Sequence, residues 1–215
     1  MTMDLYLDSA DRTALEPLLA TGLFRGVTTN PLILQRGDVR LDAVPDLVGW
    51  LLERTSEVFV QTTAHGVDAI VTEGHALRAL SDRLVVKVPA TQDGLAATRR
   101  LADDDVPVLV TAVYDARQAV LAAAAGARWI APYLGRMTES GRDGHAQVAQ
   151  MVRVLEGTGT QVLVASIRTV DDVVTLAAAG AHAVTLGAAV AQDLFVEPLT
   201  DAALAQFDEA VATLR

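Results

Sequence analysis

The segment PVLVTAVYDARQAVLAAAAGARWIAPYL, residues Pro107–Leu134, decides the fold. It opens on an apolar, β-branched run (PVLVTAV), passes through DARQAVLAAAAGA, whose apolar residues recur at helical spacing, and closes on a second apolar run (WIAPYL). Strand, helix, strand is the repeating unit of a parallel sheet, because parallel neighbours need a crossover that carries the chain back to the same edge. The alternation extends in both directions. Towards the N-terminus lie LYLDS from Leu5, GVTTN from Gly26, VFVQT from Val58 and LVVKVPA from Leu84. Towards the C-terminus lie QVLVASI from Gln161 and AVTLG from Ala183, with the amphipathic stretch TVDDVVTLAAAGA between them.

Strands this apolar belong to a sheet covered by helices on its outer face, and eight such units close naturally on themselves. The expectation is an α/β fold, a (β/α)8 TIM barrel forming a single domain over residues 1–215. An open doubly wound sheet is the competing fold. In its phosphate-binding form it would want G-x-G-x-x-G straight after an early strand, and the chain has none. Two intervals are longer than the rest, Leu34–Leu41 and Gly135–His145, and read as extra loops on the active-site face after the second and sixth strands. After the eighth unit, LTDAALAQFDEAVATL reads as an added C-terminal helix over residues 199–215, opened by a Thr200/Asp201 cap signal.

Composition narrows the function. With 27 acidic and 17 basic residues the net charge is -10, which argues against a sequence-independent grip on nucleic acid or an anionic membrane. Any phosphate must be met by a few local cations. There is no cysteine, so disulfides, thiolate metal sites and a cysteine nucleophile are excluded, and a reducing cytosol suits the chain. The four histidines show no metal-ligand spacing, so no metal site is expected. The opening MTMDLYLDSADR lacks the basic and apolar regions of a signal peptide, and no segment approaches a membrane span. A cytoplasmic location is expected.

In a parallel barrel the chemistry is assembled from the C-terminal ends of the strands. The polar residues there are Asp8, Thr28 with Asn30, Gln61, Lys87, Thr111, Tyr133 and Ser166. Taken singly, a threonine at a strand end is as well explained by the sequence simply turning polar there. Lys87 is different. It interrupts an apolar run and is the only lysine, every other basic residue being arginine. A guanidinium stays protonated, whereas a desolvated ε-amine can lose its proton and attack a carbonyl. Bringing a lysine from about 10.4 to about 7.5 costs roughly 4 kcal/mol of differential solvation, within reach of a buried barrel rim. A structural ion pair is the competing role. Arg136 and Arg168 follow strand ends and, with Ser166, could bind phosphate, or could be solvated loop arginines.

The blocks LYLDSAD, GVTTNP, VVKVPAT-x-x-GL, TAVY, AGA-x-x-IAPY, GR and VLVASIRT stand one per strand and in order over essentially the whole chain. Together they resemble the small transaldolases and fructose-6-phosphate aldolases. The resemblance implies that Lys87 forms the Schiff base, that Asp8 and Asn30 hold sugar hydroxyls, and that Gln61 and Thr111 position a catalytic water. It also implies that Arg136, Ser166 and Arg168 take the phosphate of the aldehyde partner. Transaldolases typically carry glutamate at Gln61, serine at Ala131 and phenylalanine at Tyr133, so the three residues here resemble the aldolase branch, in which the tyrosine serves as acid. Gly135 and Gly187 depart from the bulkier residues of aldolase relatives and bear on the width of the pocket.

The implied activity is that of a class I aldolase interconverting fructose 6-phosphate with dihydroxyacetone and glyceraldehyde 3-phosphate, without metal or organic cofactor. A transaldolase passing the three-carbon unit between sugar phosphates would keep the same Lys87. A deoxyribose-phosphate-type lysine aldolase would fit the barrel but not Gln61, Ala131 and Tyr133 together. A non-catalytic phosphosugar-binding barrel is the alternative of a different class. The resemblance further implies a homo-oligomer, pentamer or decamer, in which the C-terminal helix reaches over a neighbouring subunit.

Overall fold

The computed structural model describes residues 3–214. Eight strands, β1 (Asp4–Asp8), β2 (Gly26–Thr28), β3 (Glu57–Gln61), β4 (Leu84–Pro89), β5 (Val108–Val113), β6 (Trp129–Pro132), β7 (Gln161–Val164) and β8 (Ala183–Leu186), form a closed barrel in sequence order, every neighbouring pair parallel. The helices around it are α1 (Arg12–Leu19), α2 (Pro31–Arg36), α3 (Val44–Leu52), α4 (Val67–Arg78), α5 (Gln92–Asp103) and α6 (Ala116–Ala124). They continue with α7 (Leu134–Glu139), α8 (Gly144–Val154), α9 (Val170–Ala178), α10 (Ala188–Asp193) and α11 (Pro198–Thr213). This is the (β/α)8 TIM barrel expected, with its added C-terminal helix.

Side-chain alternation along each strand sorts the core into two layers. Val58, Val60, Val86, Val88, Val108, Val110, Val162 and Val164 face outward and pack under the helices. Tyr6, Phe59, Val85, Leu109, Trp129, Ala131, Leu163 and Ala183 face inward and fill the barrel. The filling is tight. Tyr6 meets the edges of Phe59 and Trp129 at centroid distances of 5.3 Å and 6.5 Å, the favoured geometry for aromatic pairs. At Gly26 an added Cβ would lie 2.1 Å from the Glu57 carbonyl, so only glycine lets β2 approach β3 there.

Three local expectations are corrected. The intervals after β2 and β6 are not loops but carry α2 and α7, each six residues long, with the next outer helix following after a short link. The sixth strand ends at Pro132, and Tyr133 makes an isolated bridge to Ala165 before α7 begins. The C-terminal helix is capped not by Thr200 or Asp201 but by Glu197, whose carboxylate accepts from the Leu199 amide, with Pro198 at the first helical position, where its missing N–H costs nothing. No residue of α11 is buried. Among the described residues, no helix is long and apolar enough to cross a membrane.

Candidate active site

The inward parity of the strands carries past the apolar filling to a polar layer at the C-terminal mouth. Asp8, Thr28, Gln61, Lys87, Thr111 and Tyr133 fall on the same parity as the inward core residues of their strands. Thr185 completes the ring from β8, the strand for which sequence reading found no polar end. The signal was present as the two-residue period counted on from Ala183.

Lys87 is 4% exposed, and its Nζ donates to the Thr29 carbonyl at 2.7 Å. Burial pushes the amine down to about 8, against the opposing pull of the Asp8 carboxylate. Asp8 is pushed up from the usual carboxylate range by the same desolvation, which Lys87, the Thr28 hydroxyl and Arg36 partly offset. The Thr28 hydroxyl donates to Asp8 Oδ1 at 2.6 Å. Its single proton is thereby committed, so the 2.7 Å contact between Thr28 and Thr185 has Thr185 as donor. This chain fixes the carboxyl orientation.

Across the mouth, the Thr111 and Tyr133 hydroxyls lie 3.0 Å apart. Burial pushes the Tyr133 phenol up, while the hydrogen bond from Thr111 pulls it down. The Arg136 guanidinium lies over the Tyr133 ring, 5.1 Å from its centroid. Thr111 sits at a register break in β5 between Val110 and Val113, where Ala112 takes φ +57°. Such irregularities re-aim side chains at barrel rims. Gln61 pairs in register with Lys87, and the next residue, Thr62, donates its amide to the Lys87 carbonyl at 2.9 Å. Asn30 caps α2, its Oδ1 accepting from the Ile33 amide at 3.0 Å, which leaves its amide NH2 for a ligand.

A cavity of about 100 Å³ joins Asp8, Asn30, Lys87 and Tyr133 to Arg136, Ser166 and Arg168. A neighbouring space of about 250 Å³ adds Gln61 and Thr111. A larger cleft, about 700 Å³, lies beside them over Gln61, His65 and Asp93 and contains neither Lys87 nor Asp8. The smaller pair holds the reactive groups. All ten residues singled out from the sequence are therefore at one mouth, Thr28 being buried just beneath it.

Ser166 has φ +61°, and its buried Oγ has no hydrogen-bond partner. Orphaned buried hydroxyls are uncommon, and this one faces a cavity lined by cations. Its loop is held by Asp172, which accepts from the Arg168 and Thr169 amides and completes a capping box on α9. Arg168 is not free: its Nε and Nη2 both lie 2.9 Å from Glu139 Oε1.

The two unusual glycines separate. Gly135 donates its amide to the Ser166 carbonyl at 2.8 Å, and an added Cβ would lie 2.5 Å from that oxygen. Close backbone approach, not pocket width, demands glycine there. At Gly187 a Cβ would meet nothing within 4 Å, and the residue lines none of these cavities. Arg36 is the charged residue of the cavity that sequence reading missed: it lines the cavity from the last turn of α2, in a stretch expected to be loop. Among the described residues no group of three or more His, Cys, Asp or Glu side chains could hold a metal ion.

A buried, partly neutral lysine and a carboxyl group at the mouth of a closed (β/α)8 barrel define an enzyme of the class I aldolase type. The family model for transaldolase/fructose-6-phosphate aldolase matches residues 5–215, and the chain belongs to that family. A "Probable transaldolase" of Caulobacter vibrioides is 38% identical over 208 residues, covering 95% of this chain and 94% of its own. One of Rhodospirillum centenum is 37% identical over 209 residues, covering 95% and 89%. Among solved structures, a cube-shaped, highly porous protein cage designed by fusing symmetric oligomeric domains matches with TM-score 0.65 at 14% identity, over 100% of this chain and 80% of that one. At that identity it speaks for the fold alone.

Proposed function

We propose that the protein is a Schiff-base enzyme that takes a dihydroxyacetone unit from a ketose phosphate onto Lys87 and passes it to an aldose phosphate, the transaldolase reaction. The observation that carries this reading is the burial of the single lysine beside Asp8, with its amine brought down to about 8, so that a useful fraction is neutral near pH 7.5. The names of the relatives weigh for transfer over the simple aldol cleavage expected from the sequence.

Neutral Lys87 Nζ attacks the ketone carbon, and the carbinolamine loses water to give an iminium. Asp8, whose raised affinity for a proton suits a base, takes the proton of the C4 hydroxyl as the C3–C4 bond breaks. The bond's electron pair moves into the iminium, an aldose phosphate leaves, and a three-carbon enamine remains on the lysine. That enamine attacks the carbonyl carbon of the second aldose phosphate, and hydrolysis frees the new ketose. Asn30 holds sugar hydroxyls through its free amide NH2, Gln61 and Thr111 hold the water, and Arg136 with Ser166 and Arg168 holds the phosphate. The lysine supplies the electron sink, so the reading calls for no metal or organic cofactor.

A second reading, protonation and release of the enamine as free dihydroxyacetone, is favoured by the 3.0 Å pairing of the Tyr133 and Thr111 hydroxyls, which sets an acid beside the lysine. The deciding assay supplies purified protein with fructose 6-phosphate, with and without erythrose 4-phosphate. Transfer predicts glyceraldehyde 3-phosphate formation that depends on the acceptor; equal turnover without it would replace transferase by aldolase. The exposed apolar residues of α11, among them Leu199, Leu204 and Phe207, support a homo-oligomer in which this helix packs on another subunit.

A further inference from the structure

The helix α2 begins at a cap, Asn30, followed by Pro31, and buries Ile33 and Leu34 against the barrel. Leu32 and Arg36, four residues apart, share the opposite face and both line the cavity that holds Asp8 and Lys87. The cavity thus has a third arginine. The three differ in what already holds them. Among the described residues Arg168 is ion-paired with Glu139, whereas neither Arg36 nor Arg136 has a carboxylate partner.

The engagement of Arg168 follows from Gly135. A Cβ at that position would stand 2.9 Å from Arg168 Nε and 3.0 Å from its Cγ. Without one, the arginine lies across the first turn of α7 and reaches Glu139. An incoming anion must break that ion pair to take Arg168, whereas Arg136 meets Glu139, and Arg36 meets Asp8, only beyond ion-pair distance, Arg136 being held instead by the Tyr114 hydroxyl. The orphaned Ser166 hydroxyl supplies a neutral donor to the same space.

We infer that Arg36 is a specificity-determining residue that reads the substrate phosphate together with Arg136 and Ser166, and that Arg168 carries the smaller share. The inference rests on the sugar-phosphate reading of the site. Arg36 also faces Asp8 and opposes the effect of burial on it, so a purely electrostatic role towards that carboxylate is the competing account, and a phosphate-binding measurement separates the two.

The test titrates glycerol 3-phosphate, which has no carbonyl and forms no Schiff base, into the full-length wild type and its Arg36→Ala, Arg36→Lys and Arg168→Ala variants by calorimetry. Arg36→Ala should weaken binding by about tenfold or more, the loss of one charged hydrogen bond. Arg36→Lys should recover part of it, and Arg168→Ala should lose less. Arg36 is exposed, so a melting curve confirms that each variant is folded. Wild-type affinity in Arg36→Ala, a larger loss in Arg168→Ala, or a wild type that does not bind the probe would each overturn the inference. Borohydride trapping of unphosphorylated dihydroxyacetone on wild-type Lys87 tests the Schiff-base reading separately.

Discussion

The barrel buries ionisable groups at both ends, and the two ends treat them in opposite ways. At the floor, Glu57 accepts from the Tyr6 hydroxyl at 3.0 Å and pairs with Arg128 at 3.2 Å, while Arg128 stacks over Trp129. Each ionisable group there is occupied by another, and the unpartnered buried polar atom beside them, the Trp129 indole Nε1, is not ionisable. At the mouth, Lys87 uses one of its donors, Asp8 accepts one hydrogen bond, and the Ser166 hydroxyl has none. Burial costs free energy at both ends. The floor offsets that cost for its ionisable groups within the protein, whereas the mouth leaves hydrogen-bonding capacity open to a ligand or to solvent. A perturbed group is therefore not by itself a functional one: the Tyr6 phenol is pushed far up by burial and by Glu57, yet lies in a satisfied network.

Removing Lys87 should have the largest effect. Lys87→Met keeps the apolar stem and deletes the nucleophile, so both transfer and release should vanish while circular dichroism shows an intact barrel. Residual turnover at a substantial fraction of wild type would place the chemistry elsewhere. Tyr133→Phe should act next. Loss of a positioned acid lowers release of dihydroxyacetone by about 10² to 10⁴-fold, whereas transfer to erythrose 4-phosphate, which consumes the enamine directly, should fall less. The rate ratio in wild type and variant is the measurement, and an unmoved ratio would make Tyr133 a packed rim aromatic.

The floor should give the smallest effect on rate. Glu57→Gln leaves Arg128 without its carboxylate and should lower stability by about 1–3 kcal/mol, read from denaturant midpoints. Turnover below the melting range should stay within about twofold, on the principle that distant sites act independently. A loss of activity as large as that of Tyr133→Phe would erase the distinction between the two ends.

Much of this was legible in the sequence. The eight apolar runs mark the strands, and Lys87 announces itself as the only lysine in a chain of arginines, set inside one of those runs. What stayed hidden has physical reasons. The helices α2 and α7 are six residues each, fewer than two turns, too short for a helical period to show against a loop. Arg36 was hidden with α2, because its direction depends on the helix. Ser166 and Ala112 at positive φ carry no sequence mark, since neither is glycine nor asparagine. The closeness of Gly135 to the Ser166 carbonyl is a tertiary contact across 31 residues of chain, read only once β7 is placed.

The central claim is that Lys87 is a nucleophile kept partly neutral by burial, and borohydride trapping as a function of pH tests it most directly. With dihydroxyacetone and borohydride, intact mass should rise by one adduct that peptide mapping places on Lys87. The rate of adduct formation should climb with pH and level off through about 8, the value to which burial brings the amine. No adduct, an adduct confined to the N-terminal amine, or a rate still climbing towards the ordinary lysine value of 10.5 would contradict it.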